Sequence, residues 1–274
     1  MIGGGDAPPP IRRRALDVAA TVAVILAVWQ GVVWATGVPP FILPSPARVG
    51  QAMVESRGLL LEHGLITLFE VLAGLVLGAA LGAATAVQLA LSPTARRILL
   101  PVLVFSQAVP VFALAPVLTL WLGYGIGSKI VMTVLIIYFP VASAFYDGLR
   151  RTDPALLDLA AVMGARPLAV LLRIRAPAAL PEFASGLRLA AVYAPIGAVI
   201  GEWVGASGGL GYLMLLANGR AKTDLMFAAL FVLALGAVAL YALLGGLARR
   251  LERRARGERR AGLPPRRPRA RRDG

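Results

Sequence analysis

Three carboxylates that lie in or beside long apolar stretches are the residues of this sequence best suited to chemistry. Glu70 falls inside one stretch, Asp147 lies at the end of another, and Glu202 lies near the end of a third. An ionisable group inside apolar sequence usually serves a function or has a buried polar partner. We predict that Glu70 is deep and that Asp147 and Glu202 lie where water is available. Glu70 then lines a polar route or meets a structural partner.

Aromatic side chains in the same stretches offer a second kind of chemistry. Tyr138 and Tyr193, together with Trp203 and Tyr212, could stack on a flat ring that moves between helices. Such residues are equally typical of the boundary between a bilayer and water. Both interpretations stay open, and we take Tyr138 and Tyr193, with Glu70, as candidate pathway or bundle residues.

Residues for catalysis or metal binding are scarce. The chain has no cysteine and one histidine, His63, which excludes disulfides, thiol nucleophiles, Cys-based zinc sites and the H-E-x-x-H motif. It also lacks the G-x-x-x-x-G-K-[ST] motif that cradles ATP phosphates. The glycine-rich runs at 123–127 and 208–211 are predicted to be tight turns. We therefore predict that the chain has no catalytic residue and binds no metal or cofactor itself.

The composition indicates which elements must position these residues. Of the 274 residues, 58% are hydrophobic and 15% are charged, and the mean hydropathy is +0.76. A soluble domain usually contains about 25% charged residues. The composition therefore excludes an ordinary soluble enzyme and indicates an integral membrane protein.

Six apolar stretches are long enough, or nearly so, to cross a bilayer, which requires about 20 residues. The predicted spans cover 16–36, 65–91, 98–122, 130–146, 187–204 and 225–247. The first follows three arginines, but its length and the lack of a cleavage-like site predict a retained span rather than a secretory signal. The predicted fold class is an all-α integral membrane bundle of six transmembrane helices.

The basic residues predict the orientation of the bundle. The formal net charge is +14, and 12 arginines lie in the segment 249–274. With the N-terminus inside, 23 of the 28 basic residues fall in cytoplasmic segments, as the positive-inside rule expects. We predict that 1–15 is cytoplasmic and that 37–64 is extracytoplasmic. The basic segment 248–274 is predicted to be a disordered cytoplasmic tail that contacts anionic lipid rather than nucleic acid.

Prolines and glycines distinguish two of the spans. The third contains Pro101, Pro110 and Pro116, which should kink it because each proline removes a backbone donor. The second carries a glycine at every fourth position: Gly74, Gly78 and Gly82. This spacing predicts a smooth ridge for close helix packing, or a ridge that slides during gating.

A long segment between the fourth and fifth spans, 148–186, is predicted to lie in the cytoplasm. The dipeptide Asp153-Pro154 predicts a capped helix start, and Gly164 should end that helix. A basic amphipathic run follows, and we expect Pro177 and Pro181 to stop it. This order is typical of a docking surface, or of a helix lying on the bilayer.

The same segment resembles the EAA loop of permeases from binding-protein-dependent ABC importers. The pattern of that family is Glu-Ala-Ala, three residues, Gly, nine residues, then Ile-x-Leu-Pro. This chain has Asp-Leu-Ala at 158–160, Gly164, and Ile-Arg-Ala-Pro at 174–177. Asp158, Leu159 and Ala176 depart from the pattern in a chemically mild way. The layout from about residue 60 to 248 also resembles the family, with a permease core at 65–247 and a coupling loop at 148–186.

The resemblance implies a type I permease subunit in a bacterial inner membrane, whose loop fits a cleft on a separate cytoplasmic ABC ATPase. The positions carried over to the coupling role are Asp158, Ala160, Gly164, Ile174 and Pro177. The resemblance also implies that the ATPase, not this chain, binds ATP and Mg. The other implied partners are an extracytoplasmic substrate-binding protein and a second permease chain, either identical or related to the first.

Two further sets of residues narrow the resemblance. Residues 107–116 and 121–125 are similar to the nitrate, sulfonate and taurine branch of these permeases. Within that branch, 144–150 and 223–229 are similar to permeases for pyrimidine precursors of thiamine. The resemblance thus implies uptake of such a precursor, with an aliphatic sulfonate, taurine or nitrate as the alternative. A proton-coupled secondary transporter with Glu70 or Asp147 as its relay is the alternative of another class.

Overall fold

The computed structural model of the chain describes residues 11–261, with side chains described from 16 to 250. Every regular element in this range is a helix. Five helices are long and apolar enough to cross a bilayer, and a bent pair provides a sixth crossing if it is counted as one span. The predicted all-α membrane fold is confirmed.

The long helices are α1 (Ile11–Thr36), α3 (Arg57–Leu91), α6 (Ile126–Arg150), α9 (Ala176–Trp203) and α11 (Thr223–Ala261). The shorter helices are α2 (Pro46–Glu55), α4 (Pro93–Ala108), α5 (Val111–Leu122), α7 (Pro154–Val162), α8 (Pro167–Val170) and α10 (Leu210–Gly219). A π-helical turn, Leu171–Arg175, joins α8 to α9.

Helix α6 packs most extensively against α9 and α3 and forms the centre of the bundle. The glycine ridge of α3 makes this approach possible. A Cβ on Gly78 would lie 2.6 Å from Cγ1 of Ile137, and one on Gly82 would lie 2.7 Å from the carbonyl oxygen of Tyr138. Gly74 likewise leaves room for Thr133. The predicted role of the ridge in close helix packing is confirmed.

The third predicted span is a bent pair rather than one kinked helix. Helix α4 ends at Ala108 and α5 begins at Val111, and the two axes differ by 100°. Pro101 and Pro116 lie inside these helices, whereas Pro110 precedes α5. The break therefore occurs at Pro110, one of the three prolines. A proline also biases the residue before it, here Val109, away from helical geometry.

The expectation that Pro177 and Pro181 stop the amphipathic run is wrong. Helix α9 begins at Ala176 and continues to Trp203, so Pro177 lies in its first turn and Pro181 lies in its interior. Pro177 has no N–H to donate, and it directly follows the π-helical turn, where the N–H of Ala176 donates to the carbonyl of Leu171. The fifth span is consequently longer than the predicted 187–204, and α8, the π-helical turn and α9 form one continuous helical path.

The last helix also extends beyond the predicted span. Helix α11 continues to Ala261, so 248–261, the first part of the segment predicted to be disordered, is helical. The remaining tail lies outside the described residues. Helix α1 is largely exposed and contacts α11 through Trp29, whose ring lies 5.7 Å from those of Phe227 and Phe231.

Candidate functional site

The short helix α7 begins where the sequence predicts. The backbone N–H of Ala155 donates to Oδ1 of Asp153 at 3.0 Å, and Pro154 occupies the first turn. An N-cap side chain and an early proline both stabilise a helix start. The predicted capping role of Asp153 is therefore confirmed.

The end of α7 has the hydrogen bonds of a Schellman motif. The N–H of Ala165 donates to the carbonyl of Ala160 at 2.9 Å, and the N–H of Gly164 donates to the carbonyl of Ala161 at 3.0 Å. Gly164 has a φ of +66° and no atom within 4 Å of the position of a Cβ. A residue with a side chain would therefore be strained there by its backbone conformation and not by crowding.

Helix α7 exposes apolar side chains that have no cover within the described chain. Val162 and Met163 are 87% and 76% exposed, and Leu159 is also exposed. Asp158 is exposed beside them, whereas Ala160 is buried against the remainder of the protein. Exposed apolar residues at the end of a charged loop are typical of a surface that meets another protein.

The other two predicted coupling residues lie further along the chain than α7. Ile174 lies in the π-helical turn and Pro177 in the first turn of α9, and both are half-buried. Three of the five coupling candidates therefore lie in α7 or at its C-terminal end. The other two lie at or just before the start of the spanning helix α9. Only residues 163–166 separate α7 from the continuous helical path that contains Ile174 and Pro177. A displacement of α7 can thus reach the spanning helix α9 through a short path.

The two glutamates predicted to differ in depth lie together at the other end of the bundle. Glu70 and Glu202 are 2% and 1% exposed, and their carboxyl groups lie close enough to interact with each other. Two carboxylates buried side by side repel each other, so a proton held between them would favour the pair. Glu202 also accepts from Oγ1 of Thr67 and from the N–H of Gly211, both at 2.5 Å. The expectation that Glu202 lies in water is wrong.

The glycine-rich run before α10 wraps around this carboxylate. The N–H of Gly209 donates to Nδ1 of His63 at 3.0 Å, and the N–H of Leu210 donates to Oγ1 of Thr67 at 2.7 Å. Gly209 has a φ of +106°, and a Cβ there would collide with the carboxyl group of Glu202. The first N–H groups of α10 therefore bind a carboxylate from α9, an arrangement that the helix dipole favours.

A buried lysine completes the cluster. Lys129 is 4% exposed, and its Nζ donates to the carbonyl oxygens of Tyr124 at 2.8 Å and Gly125 at 2.9 Å. Its charge is close enough to attract Glu70, whose Oε2 has no hydrogen-bond partner among the described residues. One proton held by the carboxyl pair, together with the ammonium group, would make the cluster neutral overall, which lowers the cost of burying it.

The structure separates the three candidate pathway residues. Glu70 belongs to the buried cluster, and the hydroxyl of Tyr138 lies 2.8 Å from Oγ of Ser106, where it joins α6 to α4. Tyr193 instead lines a groove of about 600 Å³ between the α4–α5 break, α6 and α9. The groove also contains Gln107, Ser143 and Asp147. Of the three candidates, only Tyr193 lies on this groove.

The sequence did not predict most of the residues that surround Glu70 and Glu202, nor those that line the groove with Tyr193. Thr67 and His63 precede Glu70 by about one and two helical turns respectively, so their shared face is visible in the sequence. Their contact with Glu202 and the turn at Gly209 joins distant parts of the chain, and no local pattern announces it. Gln107 in the groove carried no signal beyond its position before a helix break.

Comparison with known proteins places the chain in a family. The family model described as binding-protein-dependent transport system inner membrane component matches residues 74–257. A probable ABC transporter permease of Haemophilus influenzae is 54% identical over 83% of this chain and 93% of its own length. A riboflavin transport permease of Chloroflexus aurantiacus is 39% identical over 87% of this chain and 90% of its own length.

A further relative and a solved structure agree with this match. A formylaminopyrimidine transport permease of Halalkalibacterium halodurans is 35% identical over 81% of this chain and 89% of its own length. An inward-facing structure of the MetNI methionine ABC transporter aligns with a TM-score of 0.64 at 19% identity, over 72% of this chain and 98% of that one. The chain belongs to the family of binding-protein-dependent transport system inner membrane components, the permease subunits of ABC importers.

Proposed function

We propose that two copies of this chain form the membrane pathway of an importer for a pyrimidine precursor of thiamine. The family is one of transport rather than catalysis, and ATP hydrolysis belongs to a separate subunit. The proton-coupled alternative does not fit this family. The observation that carries the choice of substrate is the groove lined by Gln107, Ser143, Asp147 and Tyr193.

The chemistry of the groove favours a small heterocycle that bears an amino group. Gln107, Ser143 and Tyr193 offer donors and acceptors, and Asp147 offers a carboxylate that would accept from the N–H groups of an aminopyrimidine. Phe139 adds an apolar ring to the same wall. A few polar groups on an apolar wall are typical of small-molecule sites.

The same groove opposes the sulfonate, taurine or nitrate alternative. No lysine or arginine lines it within the described residues, and an anionic group would meet the carboxylate of Asp147. Arg188 lines an adjoining depression, but it already has an interaction within the described chain. The two relatives named for heterocycles, a formylaminopyrimidine and riboflavin, support the same class of substrate.

Helix α7 would couple the pathway to ATP. Its exposed apolar residues Leu159, Val162 and Met163 are suited to a cleft on the cytoplasmic ABC ATPase, which would bind ATP and Mg in place of this chain. With the termini in the cytoplasm, α7 lies on the ATPase side and the Glu202 cluster lies on the side of the binding protein. Closure of the ATPase would then move α7 and, through the π-helical turn, α9.

Uptake of radiolabelled hydroxymethylpyrimidine and of its formylamino analogue tests the proposal. Cells that express the ATPase, the binding protein and this chain should accumulate label, and cells without the chain should not. Excess aliphatic sulfonate should leave the uptake unchanged. Failure of uptake, or competition by sulfonate, would contradict the pyrimidine assignment.

A matched pair of variants connects the uptake to the groove. Asp147→Asn removes the charge that we assign to the substrate's amino group, and uptake should fall by roughly tenfold, the factor for one charged hydrogen bond. Asp158→Asn removes a carboxylate from α7 instead and should leave the substrate competition profile unchanged. Equal uptake by the Asp147 variant and the wild-type protein would show that the groove does not bind the substrate through Asp147.

A further inference from the structure

An apolar groove of about 420 Å³ runs between α3 and α11, separate from the groove that contains Asp147. Thr67, Pro195 and Leu210 line it where α9 and α10 meet α3. Its walls consist of side chains from the two spanning helices, among them Leu61, Leu65, Leu68, Val232, Leu233 and Leu240. With Arg57 as its one charged lining residue, the groove suits a long apolar ligand with an anionic end.

Two glycines keep this groove open. A Cβ on Gly236 would meet no atom within 4 Å, and a Cβ on Gly64 would meet only Cγ1 of Val232, at 3.9 Å. Unlike the glycines at the contact of α3 with α6, these two do not allow a close helix approach. Their missing side chains leave an empty volume between two helices that otherwise carry leucine and valine.

Arg57, the first residue of α3, lies at one end of the groove. Among the described residues, its guanidinium has no carboxylate within ion-pair distance. Val71 lines the groove further along α3, about 21 Å away at ~1.5 Å per residue. One leaflet, including its headgroup region, is roughly 20–22 Å deep, half of the whole bilayer. The groove therefore has about the depth of one leaflet, with a cation at its interfacial end.

We propose that this groove binds one acyl chain of an anionic phospholipid, with the phosphate group paired to Arg57. A guanidinium group matches phosphate oxygens in geometry and charge. The apolar walls match an acyl chain and offer little to a polar solute. The predicted topology places Arg57 at the extracytoplasmic face, so the lipid belongs to the outer leaflet of the inner membrane.

A lipid in this position would cover part of the buried cluster. Thr67 and Leu210 line the groove and are joined by the 2.7 Å hydrogen bond that fixes the start of α10. An acyl chain over them would exclude water from this bond and strengthen it. We therefore expect the lipid to stabilise the attachment of α10 to α3.

Native mass spectrometry of the intact transporter, titrated with phosphatidylglycerol or phosphatidylcholine, tests this site. The wild-type protein should retain phosphatidylglycerol preferentially. Gly236→Leu fills the groove and should lose most of the retained lipid. Arg57→Gln leaves the apolar walls of the groove unchanged, so the variant should still bind lipid. Its preference for phosphatidylglycerol should fall by about fivefold, the factor expected for one arginine beside an anionic lipid.

Two matched controls keep the result specific. Gly31→Leu adds the same side chain on α1, where a Cβ also meets nothing within 4 Å, and Arg48→Gln removes an exposed charge from α2. Both should bind lipid as the wild-type protein does. Equal retention by the Gly236 and Gly31 variants would overturn the site, and an unchanged preference in the Arg57 variant would overturn the headgroup contact.

A crosslinking measurement separates a lipid from a second copy of the chain. The natural sequence has no cysteine, so Gly236→Cys introduces a single thiol in the groove. The proposal expects this thiol, covered by an acyl chain, to form no crosslink between copies under oxidising conditions. A crosslinked pair of chains would show that a neighbouring chain covers the groove, and the lipid assignment would be abandoned.

Discussion

At the scale of single residues, the carboxyl group of Glu202 holds the turn before α10 in place. It accepts hydrogen bonds from Thr67 on α3 and from the N–H of Gly211 at the start of α10, and it lies beside the carboxyl group of Glu70. A buried acceptor with several donors is costly to remove, because each donor is left without a partner. Glu202 is therefore expected to matter for stability before any role in transport.

Glu202→Ala should destabilise the protein strongly. The substitution leaves the N–H of Gly211 without its acceptor, at about 1–3 kcal/mol for a buried group. It also leaves the hydroxyl of Thr67 with only its longer bond, 3.3 Å, to the carbonyl of His63. We expect a loss of ~2–4 kcal/mol, measured as a lower midpoint of thermal unfolding in detergent. An unchanged midpoint would contradict the structural role of Glu202.

Glu70→Gln is the mild counterpart of that change. The side-chain amide of glutamine can donate to the Glu202 carboxylate in place of a proton held by the pair, so the network remains connected. We expect a change of less than about 1 kcal/mol in the same unfolding measurement. Loss of transport by this variant with stability retained would instead indicate that the proton itself is needed, as the relay hypothesis for Glu70 requires.

At the scale of secondary structure, α7 is defined by its two ends. Asp153 caps its start and Gly164 ends it with a left-handed residue that has open space around it. The helix is short, so most of its rigidity depends on these ends and on the burial of Ala160. Any change at Gly164 should therefore act on the angle at which α7 leaves the chain.

Gly164→Leu should abolish uptake while the protein still inserts into the membrane. Leucine costs about 1–2 kcal/mol in the left-handed conformation and would tend to redirect the chain after α7. Uptake and stimulated ATPase activity in proteoliposomes measure the effect. Gly164→Asn is the control, because asparagine tolerates this conformation, and it should retain most of the uptake. Normal transport by the leucine variant would refute the coupling assignment.

The contact between α3 and α6 makes a different demand on glycine. A Cβ at Gly82 would lie 2.7 Å from the carbonyl oxygen of Tyr138 and 3.0 Å from the backbone nitrogen of Ala142, neither of which can move alone. Gly82→Ala should therefore cost ~1–3 kcal/mol through displacement of the helices. Gly58→Ala on the same helix meets nothing within 4 Å and should be neutral or slightly stabilising. Thermal unfolding of the two variants in detergent makes the comparison.

The elements differ in how far their sequence predicts them. Glycines at four-residue spacing predicted the ridge of α3, and Asp153 and Gly164 predicted both ends of α7, because these signals are local. The run after Gly164 was predicted to stop at Pro177, since a proline at a helix start and one after a helix look alike. The pairing of Glu70 with Glu202 depends on how α3 and α9 pack, which no short stretch of sequence specifies.

At the scale of the whole molecule, the two sites lie at opposite ends of the same helix. Helix α9 begins beside the π-helical turn that follows α7, and it ends at Glu202 in the buried cluster. Glycines on α9 hold it closely against α6: a Cβ on Gly197 would lie 2.8 Å from Cα of Thr133. Close packing along this length favours movement of α6 and α9 together. A displacement of α7 would therefore be transmitted along α9 to the region beside α10.

This arrangement couples ATP use to import only if α7 faces the cytoplasm, and labelling of single cysteines tests that orientation. Ile42→Cys lies in the segment predicted to be outside, and Arg97→Cys lies in a segment predicted to be inside; both positions are exposed, and the natural chain has no cysteine. A membrane-impermeant maleimide should label position 42 in intact spheroplasts and position 97 only after permeabilisation. The reverse pattern would place α7 on the side of the binding protein, where no ATPase can reach it, because the number of crossings between residue 97 and α7 does not change.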